Sequence, residues 1–229
     1  MLETILKDEE IKAIINNVNN VIIINNCGCH GMGHITRVMN YVETILTGIN
    51  CDEHTIELGK IAAYLHDIGA IMGKEKHAER SAEFVNNYLT KLNMDEKDKE
   101  LIVNAIKNHS KGSETKIGAA LTFADKIDMQ KSRMMRFIEG NYFHDNIKHM
   151  LDVKLTVDEN NIIVNIITDG MFDYNSLKDY SKMITKPIEM SKNLNRNCIF
   201  QIDNKEIDLY SIVIEKNKQL WNAPLRVDI

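Results

Sequence analysis

The heptapeptide YLHDIGA, Tyr64 to Ala70, places a histidine and an aspartate side by side within an apolar run. Burying a lone carboxylate costs several kcal/mol or more, so Asp67 needs either a positive partner or a proton. The partner is a basic side chain or a metal ion, and the rest of the chain has to supply it.

Outward from this stretch, apolar residues recur at helical spacing through the first 148 residues. The pattern predicts helices over 3–20, 34–47 (ended by Gly48), 53–69 with Gly69 as C-terminal cap, and 77–91. Further helices are expected over 96–109 with Asp95 as N-cap, 115–129 and 131–148. From residue 149 the period changes to two: LDVKLTV and NIIVNIIT alternate around Asp158 to Asn161, the pattern of a β-hairpin. A helix over 175–193, bent or interrupted at Pro187, and a strand pair within Cys198 to Tyr210 complete the reading. The expected fold class is mainly α, with a helical bundle over 1–148 and a small C-terminal α+β appendage containing a β-hairpin over 149–229.

Composition narrows the function. A formal charge of −5 argues against general nucleic-acid binding, which depends on basic surface, but leaves small phosphorylated ligands open. No apolar run approaches the roughly 18–20 residues of a membrane span, and the acidic start MLETILKDEE lacks the features of an export signal. A cytoplasmic location without membrane attachment is expected. Cys27, Cys29, Cys51 and Cys198 form no CxxC pair and read as reduced, structural thiols.

The polar residues on apolar stripes carry the chemistry. His34 shares a face with Val38, Val42 and Ile45, and His66 lies with Ala62 and Leu65. His109 follows Leu101 and Ala105, Asp125 follows Ile117 and Leu121, and His77 opens the stripe of Ser81, Phe84, Val85 and Tyr88. With Asp67, four histidines and two aspartates from five helices point inward. A bundle core that gathers imidazoles and carboxylates from facing helices is a common way to build a metal site. The ligand count suits two ions better than one, because a single octahedral ion would be saturated. Asp67, with two oxygens, is the natural bridge.

HITRV at 34–38, HDIG at 66–69, His77, KNH ending at 109 and FADKID at 123–128 resemble the HD-domain metal-dependent phosphohydrolase superfamily in its two-metal form. The resemblance covers roughly residues 30–135 and implies an HD-domain helical bundle. It implies that His34, His66, Asp67 and Asp125 hold one ion and that Asp67, His77 and His109 hold the other. His66 and Asp67 would be catalytic through the metals, and a metal-bridging hydroxide would attack a phosphate ester. Mixed nitrogen and oxygen ligation suits two divalent transition-metal ions, iron or manganese first, with zinc, nickel or cobalt as other candidates. The implied partner is a small phosphorylated substrate, a nucleotide by analogy with the family.

Many two-metal members carry a lysine directly after HDIG, where this chain has Ala70; Lys74 and Lys76 of the following loop are substitutes within reach. Arg37, Lys126 and Arg133 are placed to meet an anion, with Lys131 and Arg136 extending the rim. His30, one helical turn before His34, is expected to contact substrate or support a ligand, while His54, His144 and His149 are read as ordinary surface or core residues. The GYP signature of cyclic-di-GMP phosphodiesterases is missing. Other readings are a di-iron oxygenase using the same ligand series, or a non-catalytic nucleotide-sensing module that self-associates through its C-terminal part into a homo-oligomer.

Overall fold

A computed structural model describes residues 1–22, 29–134, 142–173, 176–177 and 181–208. The helical part comprises α1 (Leu2–Lys7), α2 (Glu9–Ile22), α3 (Met32–Gly48), α4 (Glu53–Leu65), α5 (His77–Lys91), α6 (Glu96–Asn108), α7 (Lys116–Ile127) and α8 (Tyr142–Ile147). The expected opening helix is divided at Asp8, whose Oδ1 accepts from the amides of Glu10 and Ile11 and so caps α2. Asp95 caps α6 as expected, and Thr115 caps α7 by accepting from Gly118 N.

Helices α3, α4, α6 and α7 pack on one another, and α5 packs on α6. Their shared core contains Val38, Val42, Ile45, Ile61, Leu65, Ile102, Leu121 and Phe123, all fully buried. α7 is buried on every side from Ile117 to Asp125, so it is the central helix. One stripe differs from expectation: Leu101 is exposed, and the inward face leading to His109 is Ile102, Ala105 and Ile106. Leu101 lies one residue away from that face, about 100° around the helix.

The helix expected over 53–69 stops at Leu65, and a 3₁₀ turn runs from Ile68 to Met72. Gly69 is therefore no helix cap. It lies where α5 crosses: an added Cβ would stand 2.5 Å from Ser81 N and 2.6 Å from His77 O. Ser81 Oγ accepts from Gly69 N, and Arg80 donates to the Gly69 and Gly73 carbonyls. α5 thus clasps the turn that follows the His66–Asp67 pair.

The helix expected over 131–148 is not continuous. Its described parts are a 3₁₀ turn at Lys131–Arg133, an extended Met134, and α8. Burial of Arg133 and a bond from Cys29 N to its carbonyl draw this segment into the core. Arg136 and Cys27 lie outside the described residues.

The hairpin is formed by β1 (Met150–Val157) and β2 (Asn161–Thr168), paired antiparallel. α9 (Ser181–Asn193) runs unbroken through Pro187 and leads to β3 (Asn197–Ile202), which pairs parallel with β2. A turn with positive φ at Asp203 and Asn204 joins β3 to the short β4 (Lys205–Glu206). The sheet order is β1-β2-β3-β4, and α9 connects two parallel neighbours while packing along α7. No helix among the described residues is long and apolar enough to cross a membrane.

Gly69→Ala should lower stability by about 1–3 kcal/mol, because the methyl meets α5 backbone that cannot swing aside. A thermal melt of the variant checks this, and an unchanged midpoint would contradict the close approach.

Candidate metal centre

Three histidines of the cluster occupy the ends of helices. His66 follows the last residue of α4, His109 follows the last residue of α6, and His77 opens α5. At each, Nδ1 faces the carbonyl three residues earlier: Ala63 O at 2.7 Å, Ile106 O at 2.7 Å and Lys74 O at 2.8 Å. A carbonyl only accepts, so Nδ1 carries the proton and Nε2 of a neutral ring presents a lone pair. His34 lies in the first turn of α3, and its Nδ1 is 2.6 Å from Asp128 Oδ2.

The Nε2 atoms meet in two pairs. His34 and His66 approach to 3.3 Å, and His77 and His109 to 3.1 Å. Asp67 stands between them. Its Oδ2 is 3.2 Å from His66 Nε2 and 3.5 Å from His34 Nε2; its Oδ1 is 3.2 Å from His77 Nε2 and 3.6 Å from His109 Nε2. Asp125 Oδ1 joins the first pair, 3.4 Å from His34 Nε2 and 4.0 Å from His66 Nε2.

This arrangement fits a cation better than it fits hydrogen bonding. Facing lone pairs repel unless a proton or a metal ion lies between them. Asp67 Oδ1 is buried and accepts no hydrogen bond among the described residues, although two imidazoles surround it. Three sets with ligand atoms mutually within 4.8 Å are present: His30, His34 and Asp67; His34, His66 and Asp125; and His66, Asp67 and His109.

Electrostatics point the same way. Burial opposes ionisation of Asp67, yet the facing histidines, His66 and His30 foremost, hold its carboxyl well below the usual range. Burial is likewise outweighed at Asp125, by Lys126, His34 and Arg133. At His34 burial and Arg133 act against a charge, but Asp125, Asp128 and Asp67 together raise the ring to about 9. Burial, with help from His66, lowers His109 to about 3, so it stays neutral with Nε2 free.

The remaining candidates take varied positions. His30 is buried, held by Asn19 Oδ1 through its backbone amide, with Nδ1 2.5 Å from Asp67 Oδ2. Arg37 spends its fork on Asp128, through Nε at 2.6 Å and Nη2 at 2.9 Å, and so stands behind His34. Lys126 pairs with Asp125 Oδ2, and Arg133 Nη2 lies 3.7 Å from Asp125 Oδ1. Lys74 is exposed, and its carbonyl orients His77. His54 pairs with Asp98 and His149 with Asp169, away from the cluster.

Sequence reasoning gave no role to Asp128, Asn19 or Arg80, and placed Ser81 on the inward stripe of α5 without its bond to Gly69 N. Asp128 carried a signal, since it lies one helical turn after Asp125 and three residues is the spacing of a shared face. Asn19 and Arg80 act through backbone groups of the neighbouring segments, across a turn of chain that helical periodicity does not report.

Near neutral pH His34 is protonated when no cation is present, and a cation that takes Nε2 displaces that proton. Manganese affinity should therefore rise with pH up to about 9 and then level off. Calorimetric titration near neutral pH in buffers of different protonation enthalpy should show proton release, and identical apparent enthalpies would count against it.

Among solved structures, the crystal structure of a predicted HD superfamily hydrolase from an uncultured Thermotogales bacterium is similar, at 26% identity and a TM-score of 0.43. That similarity covers 56% of this chain and 73% of the other. None of the curated proteins compared matches. The model of the HD domain matches residues 31–155, which include His34, His66, Asp67, His77, His109 and Asp125. The chain belongs to the HD-domain family.

Proposed function

We propose that this protein is a metal-dependent phosphohydrolase acting on a small phosphate ester, with nucleotides as the substrate class. The observation that carries the reading is Asp67, whose two oxygens each face a separate pair of opposed imidazole nitrogens. In this reading His34, His66, Asp125 and Asp67 would hold one ion, and Asp67, His77 and His109 would hold the other. Mixed nitrogen and oxygen donors suit iron or manganese. Two such cations lower the pKa of a water and neutralise charge gathering on a phosphoryl group.

The chain's own groups do the rest. Lys126 and Arg133 flank Asp125 and are the cations proposed to meet the substrate's phosphate. His30 forms no hydrogen bond through Nε2 among the described residues, so that nitrogen is available to a substrate hydroxyl or phosphate. The paired fork of Arg37 puts it behind the site, supporting Asp128.

The manganese- or iron-loaded protein should release phosphate or a nucleoside monophosphate from a panel of nucleotides and phosphorylated metabolites. His66→Ala and Asp67→Ala should each lower turnover on the order of a thousand-fold, equal to about 4 kcal/mol of barrier. Activity surviving in both variants would overturn the assignment. Substrate-dependent oxygen uptake without phosphate release would put oxygenase chemistry in its place, and tight nucleotide binding without turnover would put a sensing module there.

A further inference from the structure

Three imidazoles of the cluster fix their proton locally, on a backbone carbonyl three residues earlier. His34 is held differently. It lies in the first turn of α3, and among the described residues its Nδ1 is bonded to no backbone carbonyl. The acceptor that faces it is Asp128, 94 residues away in sequence, whose Oδ2 stands 2.6 Å from Nδ1.

A second donor competes for the same nitrogen. Arg133 Nη1 lies 2.5 Å from His34 Nδ1, and a guanidinium only donates. If Arg133 won, Nδ1 would become an acceptor and the ring proton of the neutral imidazole would move to Nε2, the atom that faces His66, Asp67 and Asp125. Asp128 opposes this in two ways. It accepts the Nδ1 proton, and it draws Arg133 Nη1 onto its own Oδ2 at 3.1 Å. Asp128 is itself fully buried, and the fork of Arg37 fixes both its oxygens.

We propose that Asp128 is a positioning residue: braced by Arg37, it keeps the proton of His34 on Nδ1 against Arg133, so that Nε2 stays free to hold a cation. The proposal rests on reading the cluster as a metal centre. It makes the His34 side depend on a carboxylate relay, while the His77 and His109 side depends on backbone carbonyls alone.

The test is a calorimetric titration of the full chain with manganese, for the native protein, Asp128→Ala, and the double variant Asp128→Ala with Arg133→Met. The single variant should bind the ion of the His34 side roughly 10–100-fold more weakly and leave the His77 side unchanged. The double variant, which lacks the competing donor, should regain part of that loss. In the zinc-loaded native protein, nitrogen chemical shifts should place the His34 proton on Nδ1, a readout that does not depend on the variants folding. Unchanged binding by a folded Asp128→Ala, a double variant no better than the single, or a His34 proton on Nε2 would overturn the role of Asp128 and leave the metal centre standing. A native protein that binds no manganese or zinc would overturn both.

Discussion

One carboxylate organises this molecule. Asp67 is fully enclosed, and its two oxygens are the only acidic atoms shared by both halves of the histidine cluster among the described residues. An anion at that depth is tolerable only while positive charge surrounds it, whether as protons on imidazoles or as bound cations. Much of the surrounding helical architecture serves to present that charge. α3, α5 and α7 each deliver one group, and the ends of α4 and α6 deliver the others.

Helix ends suit this work for a physical reason. The last carbonyls of a helix lack an intrahelical partner, and an imidazole just beyond the end can satisfy one of them with its own N–H. His66 and His109 do this, and the bond both completes the helix and orients the ring. The carbonyl of Ile106 accepts from His109 N as well as from the ring, so one residue closes the helix twice. His34, in the first turn of α3, faces the carboxylate of Asp128 instead, and Asp128 is held in turn by the half-buried Arg37 and by the buried Arg133.

The helical elements were legible because their apolar periodicity is strong, and the inward stripes of α3 and α7 located His34 and Asp125 directly. Periodicity failed where tertiary contacts decide. It carried α4 through the His66–Asp67 pair to Gly69, whereas the chain turns after Leu65 because α5 packs directly against the Gly69 backbone. It carried a helix through Arg133, whereas burial of that guanidinium bends the segment inward. The parallel pairing of β2 with β3 was also hidden, since strand patterns do not state which neighbour they choose. Polar pairings such as Asn19 with His30, or the more distant Asp128 with His34, left no mark in either periodicity or composition.

The position of α9 has a consequence of its own. By lying along α7, it shields from water a helix whose opposite sides already press on the bundle. Asp125 therefore rides on a helix enclosed on all sides. The sheet also meets α3, where Tyr41 OH donates to Val153 O of β1, so the C-terminal part braces two of the helices that carry the cluster.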